Sequence, residues 1–148
     1  MALVTRWIGL VAGLACLGTL SVTLPARAQD EEKPYQVTDG KVDPGTYNGY
    51  RRYHASCHVC HGPDGLGSSY APNLTDSLKS LSQEQFNEVV INGRQNLAAG
   101  QEKVMPAFGE VMDVAQYIQD IYAYLKARSD GAIGRGRPTR AEVAATSG

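Results

Sequence analysis

The chain has 148 residues, 43% of them hydrophobic and 20% charged, and its formal net charge at pH 7 is -1. This length allows one small domain once the chain ends are set aside. The chain has 14 basic and 15 acidic residues, and without Arg6 and Arg27 of the predicted signal peptide the balance becomes 12 to 15, which gives no reason to expect a nucleic acid as partner.

Residues 1–28 are predicted to be a secretory signal peptide. Arg6 precedes an apolar run from Trp7 to Val22, and the small residues Ala26 and Ala28 mark a cleavage site. This order is typical of segments removed on export. An uncleaved membrane anchor is the alternative, but about 20 apolar residues are needed to span a bilayer and this run is shorter. We therefore expect a periplasmic protein with no stable membrane insertion after cleavage.

The predicted cleavage also decides which cysteines remain in the mature chain. Cys16 lies inside the apolar run, where the preceding "GLA" is a poor signal for lipid attachment. Removal of the signal peptide would leave Cys57 and Cys60 as the thiols of the mature chain.

Both ends of the mature chain are predicted to be solvated. Residues 29–42 are polar and show no apolar period, which is typical of a flexible leader. Residues 129–148 are rich in glycine and small residues, lack an apolar face and carry more basic than acidic side chains. We expect a folded domain over residues 43–128 between the leader and a flexible basic tail.

Two helix starts are marked by capping residues. Asp43 can cap a helix whose first residue is Pro44. Ser82 and Gln85 have the spacing of a capping box, in which each residue bonds the other's backbone. The second helix is predicted to end at Gly93, which can adopt the left-handed conformation that terminates helices.

A third helix is predicted near the C-terminal end of the domain. Asp113 and Gln116 again have the spacing of a capping box, and Met112 and Tyr117 could form a hydrophobic staple. Apolar residues then recur at helical spacing and define one buried face. These residues are Val114, Ile118, Ile121, Tyr122 and Leu125.

The predicted fold class is all-α, with three or more short helices and long loops, because no stretch shows strand alternation. Residues 62–80 and 94–110 would be long segments without secondary structure, which is unusual in so small a domain. Three short helices bury too little apolar surface to hold such loops in place. We therefore expect a cofactor to fill part of the core.

The motif "CHVCH" indicates which cofactor this is. Cys57, Cys60 and His61 could hold zinc, form a redox-active dithiol or attach a haem. Zinc would need a second ligand pair, and every histidine of the chain lies between positions 54 and 61. A thioredoxin-like dithiol would need a βαβ setting. The motif predicts one covalently attached haem c, with His61 as an iron ligand.

A second iron ligand must lie on the opposite face of the haem. His58 is confined between the two attachment cysteines, and His54 lies on the same side of the attachment. Met112 has a predicted packing role. Met105 lies in "KVMPAFG", where a proline stiffens the backbone behind it. Met105 is therefore the predicted sixth ligand, and a His/Met pair raises the reduction potential relative to two histidines.

Further residues are expected around the haem. The second ring nitrogen of His61 needs an acceptor, and the carbonyl of Pro72 is the candidate. Leu74 and Phe108 are predicted haem-wall residues, although ordinary core packing would explain both. Arg94 could meet a haem propionate, or it could be solvated.

These motifs stand in the order found in one family. Residues 43–128 resemble the class I c-type cytochromes. Gly49 and Tyr53 precede Cys57 where that family has a small residue and an aromatic for crossing the C-terminal helix, whose usual aromatic matches Tyr124. The segment "APNL" resembles the family's Pro-Asn-Leu, and "MPAFG" resembles its Met-ligand loop. The long spacer "RQNLAAGQEK" departs from the pattern.

A narrower resemblance concerns two segments. "RRYHASCHVCHGPDGLGSSYAP" and the tail "ARSDGAIGRGRP" are similar to the methanol-metabolism-related cytochromes, which accept electrons from quinoprotein alcohol dehydrogenases carrying pyrroloquinoline quinone (PQQ). This resemblance implies an electron carrier and not an enzyme. Its donor would be a PQQ-dependent methanol or alcohol dehydrogenase, and its acceptor a terminal oxidase or another cytochrome.

Two other functions remain open at this point. The chain could be the cytochrome subunit of a larger dehydrogenase. It could also be a haem sensor or peroxidase-like enzyme in which Met105 is a labile ligand.

Overall fold

The computed structural model describes residues 32–96 and 103–142. The predicted signal peptide, the middle of the long spacer and the last residues of the tail lie outside the described residues. Within them the helices are α1 Pro44–Ser56, α2 His58–His61, α3 Leu74–Ser77, α4 Gln83–Asn92, α5 Met112–Ala115 and α6 Ile118–Ser129, with a 3-10 helix at Pro63–Gly65. The strands are β1 Val37–Thr38, β2 Lys41–Val42, β3 Arg94–Asn96, β4 Lys103–Met105 and β5 Thr139–Arg140.

The two capping predictions for α1 and α4 are confirmed. The Asp43 carboxylate accepts a hydrogen bond from the Thr46 amide at 2.9 Å at the start of α1. Ser82 and Gln85 form the reciprocal capping box at the start of α4. This helix ends at Gly93, which has a φ of 75°. These signals depend on neighbours in the chain, which is why the sequence alone revealed them.

The third predicted helix start is wrong. Val111, not Asp113, is the N-cap of the short helix α5, and the Met112 side chain is exposed instead of forming a staple. The reason is Arg52 of α1, whose guanidinium contacts Asp113 at 2.6 Å and lies over the ring of Tyr117 at 4.1 Å from its centre. These contacts engage one residue of the predicted capping box and one of the predicted staple, and a new helix, α6, begins after Tyr117.

The crossing of α1 and α6 forms the centre of the core. A Cβ atom on Gly49 would lie 1.8 Å from the Asp120 carbonyl oxygen, so only glycine allows the helices to approach this closely. Tyr53 and Tyr124 are fully buried at the crossing, with ring centres 5.6 Å apart. The predicted apolar face is buried throughout. Its residues are Val114, Ile118, Ile121, Tyr122 and Leu125.

The two chain ends pair in a small three-stranded sheet. Its order is β1-β2-β5, with β2 antiparallel to β1 and parallel to β5. The sequence predicted no strands, and this prediction is incorrect in detail. Most of the regular secondary structure in the described residues is nevertheless helical. Strands of two residues are too short to show alternation, and β5 lies almost a hundred residues after its partner β2 in the sequence.

Most residues in 32–42 and 129–142 are exposed, but both segments also contribute buried side chains that the sequence did not predict. Tyr35 is buried, and its hydroxyl donates to an Asp130 carboxylate oxygen at 2.8 Å. Ile133 of the predicted tail is buried in the same core. Neither segment has an apolar face of its own, so composition could not show that each end covers the other.

The predicted loop from residue 94 to 110 contains an antiparallel hairpin. β3 pairs with β4, and Arg94 lies opposite Met105 in the register. Backbone bonds from Phe108 to the Val90 carbonyl and from Gly109 to the Ile91 carbonyl attach the following residues to α4. In the described part of the chain, no helix has both the length and the apolar character needed to cross a bilayer.

Candidate haem site

The attachment motif lies at the junction of two helices. Cys57 follows the last residue of α1, and α2 carries Cys60 and His61 within its single turn. Neither cysteine forms a disulfide; Cys57 packs partly against the core, whereas Cys60 is exposed. His61 is buried. One turn of helix therefore presents the two sulfur atoms and the imidazole from one short segment.

The environment of Cys57 disfavours a redox-active dithiol. Burial, with a smaller contribution from the neighbouring Cys60, raises the pKa of the Cys57 thiol to about 11. A reactive dithiol requires a lowered thiol pKa. Within residues 32–96 and 103–142, no three His, Cys, Asp or Glu side chains converge on a point that could hold a metal ion. Attachment of a haem through thioether bonds requires neither a stable thiolate in the folded protein nor a cluster of metal ligands.

The His61 ring is oriented by one backbone group. Its Nδ1 lies 3.1 Å from the carbonyl oxygen of Pro72, the acceptor expected from the sequence. Because a carbonyl oxygen only accepts, Nδ1 carries the proton and donates. This leaves Nε2 unprotonated and free to bind a metal. Such a hydrogen bond fixes both the tautomer and the ring direction of a ligating histidine.

The Pro72 carbonyl is in turn held by the loop that follows His61. Gly67 has a φ of 83°, and a Cβ there would lie 2.7 Å from the Asn73 nitrogen and 3.0 Å from the Pro72 carbonyl carbon. The Gly67 amide donates to the His61 carbonyl at 2.8 Å. Asn73 caps α3 by accepting from the Thr75 amide. Only a residue without a side chain lets these two backbone segments touch.

The candidate distal ligands lie in different environments. Met105 is in β4, not in an irregular loop as predicted, and it packs partly against the core. Met112 is 71% exposed on α5. His54 Nδ1 lies 2.9 Å from the Tyr50 carbonyl oxygen, and the exposed His58 lies near the His54 carbonyl. Of the methionines and histidines considered, only Met105 combines partial burial with a position on a separate segment from the attachment motif.

The other predicted residues are placed as follows. Leu74 and Phe108 are partly buried and pack against the core cluster. Arg94 is exposed on β3, opposite Met105.

Sequence reasoning missed Asp64, which lies three residues after His61. The residue is only 5% exposed, and its carboxylate accepts from the Gly136 amide at 2.7 Å and from Arg135 Nε at 3.1 Å. Burial alone would raise the pKa of Asp64, but these hydrogen bonds outweigh burial and hold it below its usual value. The sequence contained only a weak signal for this contact, namely an acidic residue in a turn sequence and several arginines in the tail.

The surroundings of these residues fit a covalently bound haem. Large apolar side chains next to the site residues are exposed: Val59 between the cysteines (74%), Tyr70 before Pro72 (77%) and Val104 beside Met105 (61%). A bound apolar group at the attachment motif could cover such side chains. The exposed apolar side chains beside the attachment motif agree with a bound apolar macrocycle.

Comparison with known proteins gives a consistent result. Residues 46–125 match the family described as "Cytochrome C oxidase, cbb3-type, subunit III". The chain is 51% identical over 109 residues to cytochrome c-553I of Paracoccus denitrificans, covering 73% of this chain and 48% of that protein. It therefore spans about half the length of this relative. It is 46% identical over 96 residues to cytochrome c-555 of Methylococcus capsulatus, covering 64% of this chain and 72% of that protein.

A solved structure is also similar. The crystal structure of the c-type cytochrome XoxG from Methylobacterium extorquens AM1 is 54% identical, with a TM-score of 0.67, and the match covers 74% of this chain and 67% of that one. With Cys57, Cys60 and His61 in the attachment motif, the protein carries one covalently bound haem c. The chain therefore belongs to the class I c-type cytochromes.

Proposed function

We propose that this cytochrome is a soluble periplasmic carrier that accepts single electrons from a PQQ-dependent methanol or alcohol dehydrogenase. It would pass them to a terminal oxidase or another cytochrome. The contact between Asp64 and the Arg135–Gly136 segment supports a dehydrogenase of this class as the electron donor. This contact brings together the two segments that resemble the methanol-metabolism-related cytochromes. Both segments therefore form part of one continuous region of the protein. The 54% identity to the c-type cytochrome XoxG adds support.

The residues of the site have distinct roles in this proposal. A bound haem supplies reversible one-electron chemistry. His61 would hold the iron through Nε2 while Nδ1 donates to the Pro72 carbonyl, and Met105 would be the second protein ligand. A thioether is a soft ligand that favours reduced iron, and two protein ligands leave no open position for a substrate. The chain then needs no catalytic acid, base or nucleophile.

Three further residues complete the proposed pocket. Leu74 and Phe108 would line the haem and keep water away from it. Arg94 would lie near a propionate, because the hairpin register places it opposite Met105.

The donor is tested by mixing the oxidised holoprotein with the purified quinoprotein alcohol dehydrogenase of its own organism, adding methanol and following haem reduction over a salt series. We expect fast reduction that slows as salt rises, because screening weakens docking between charged surfaces. No reduction of a haem that dithionite still reduces would contradict the proposed donor while leaving the electron carrier intact.

The role of the basic tail needs substitutions and not truncation. Residues 129–142 pack on the domain, so truncation after Arg128 would remove buried contacts as well as charge. Arg137 and Arg140 are therefore replaced together by glutamine, with their replacement by lysine as the control that keeps the charge. We expect slower reduction of the glutamine variant at low salt only. Equal rates for both variants at all salt concentrations would exclude electrostatic steering by the tail.

A further inference from the structure

A C-terminal strap, residues 133–140, connects the end of α6 to the beginning of α1. Arg128 Nη1 donates to the Ile133 carbonyl at 3.0 Å near one end of the strap. At the other end β5 pairs with β2, and the Ala141 amide donates to the Val42 carbonyl at 2.8 Å. Between these two anchors the strap contacts Asp64. The strap is thus held at both ends and touches the loop that follows His61.

The contact with Asp64 is asymmetric. The Asp64 carboxylate is buried, whereas the Arg135 side chain is 71% exposed. A buried carboxylate is stable only when its oxygens accept hydrogen bonds or face a cation. Gly136 and Arg135 donate to its two oxygens separately, and Arg128 Nε also donates to the Asp64 carbonyl at 3.4 Å. The position of Asp64 therefore depends on the strap.

Asp64 is connected through a short loop to the residues that orient His61. It lies in the 3-10 helix Pro63–Gly65 with a φ of 66°, a conformation that aspartate and asparagine tolerate better than other side chains. The loop containing it ends at Gly67, whose backbone touches Pro72 and donates to the His61 carbonyl. An unbroken series of contacts thus runs from the strap through Asp64 to the carbonyl that accepts from His61.

We propose that Asp64 and the C-terminal strap set the strength of the His61–Pro72 hydrogen bond and so tune the reduction potential of the haem. Asp64 is a positioning residue, since it acts through Pro72. A strong hydrogen bond from Nδ1 increases the basicity of a ligating imidazole, which favours oxidised iron. Loosening the loop weakens this bond and raises the potential. The inference holds whichever dehydrogenase is the electron donor.

The test uses the holoprotein and two single variants. Asp64→Asn keeps the shape and the left-handed backbone but removes the charge, and Arg135→Gln removes one donor from an exposed side chain. For each protein we measure the midpoint potential and, by NMR of the reduced form, the exchange rate of the His61 Nδ1 proton. We expect both variants to raise the potential. We also expect faster exchange, by about tenfold, which is the scale of losing one hydrogen bond to a charged group.

Asp130→Asn is the matched control. Asp130 makes equally direct bonds to Tyr35 and Lys126, but these lead to the leader and α6 and not to Pro72. It should lower stability without changing the potential or the exchange rate. If Asp64→Asn and Arg135→Gln behave like this control, the strap is only a structural brace and the inference fails. Should Asp64→Asn not incorporate haem, Arg135→Gln decides by the same two measurements.

Discussion

The His61 side of the site and the Met105 hairpin are held in different ways. On the His61 side, the loop after the attachment motif packs backbone against backbone at Gly67 and is bonded to the strap through Asp64. Met105 lies in a hairpin of three-residue strands and is only partly buried. Changes on the first side should cost folding free energy, whereas changes at Met105 should alter the haem and leave the fold intact.

Gly67→Ala is expected to have the largest effect on the free energy of unfolding. A Cβ would press on Asn73 and Pro72, and overpacking of this kind costs about 1–3 kcal/mol before the strain of a positive φ is added. Urea unfolding measures the loss. Gly131→Ala is the control, because Gly131 has a φ of 70° but nothing within 4 Å of an added Cβ. Equal losses for the two variants would mean that contact with Pro72 does not matter.

Met105→Ala tests the other side of the comparison. We expect a folded holoprotein that has lost the methionine–iron absorption band, has a lower potential and binds carbon monoxide readily when reduced, because a position on the iron is now open. Met112→Ala, which changes an exposed side chain, should behave like the parent protein. Ready carbon monoxide binding by the parent protein would instead favour the sensor or peroxidase-like function.

Asn73→Ala should have an intermediate effect. Loss of the bonds from the Thr75 and Asp76 amides to Asn73 removes a helix cap, which costs about 1 kcal/mol. Ser82→Ala removes the cap of α4 away from the site and is the comparison variant. Both should lower the unfolding midpoint, but only Asn73→Ala should also speed exchange of the His61 Nδ1 proton. A similar exchange rate in both would show that α3 does not support Pro72.

The acid dependence of stability tests Asp64 in another way. Its folded pKa lies below the value of 3.8 that it has when unfolded, so the unfolded state binds the proton first as the pH falls. Its contribution is therefore complete above that value and is lost as the pH falls through the folded pKa. The difference in unfolding free energy between the parent and Asp64→Asn should shrink from pH 7 to pH 3. A difference that stays constant would show that the charge of Asp64 is not what stabilises the contact.

The smallest expected effect is that of Arg94→Gln on stability. Exposed side chains usually change stability by less than about 0.5 kcal/mol. If Arg94 lies near a propionate, the potential should nevertheless shift, because a positive charge is removed from the haem edge. Arg51→Gln, an exposed position on α1, is the control. Equal reduction potentials in the two variants would show that Arg94 is a solvated side chain and does not lie near a propionate.

Much of the site followed from short-range spacing. The attachment motif, the His61–Pro72 contact and the caps at Asp43 and Ser82 involve residues at most eleven positions apart. The third helix start failed because Arg52, sixty-one positions before Asp113 in the chain, competes for the residues of the predicted start. The iron-ligand role of Met105 and the parts of Leu74, Phe108 and Arg94 in the pocket stay predictions.

By itself the sequence determined the haem attachment chemistry and the helical character of the domain, because both depend on residues close together in the chain. Only the tertiary structure revealed the pairing of the two ends and the burial of Asp64. The Asp64 carboxylate meets Arg135 seventy-one residues later, and neither segment has an apolar pattern that foretells the contact. Hydrogen bonds between distant polar segments form only once the helices have placed those segments side by side.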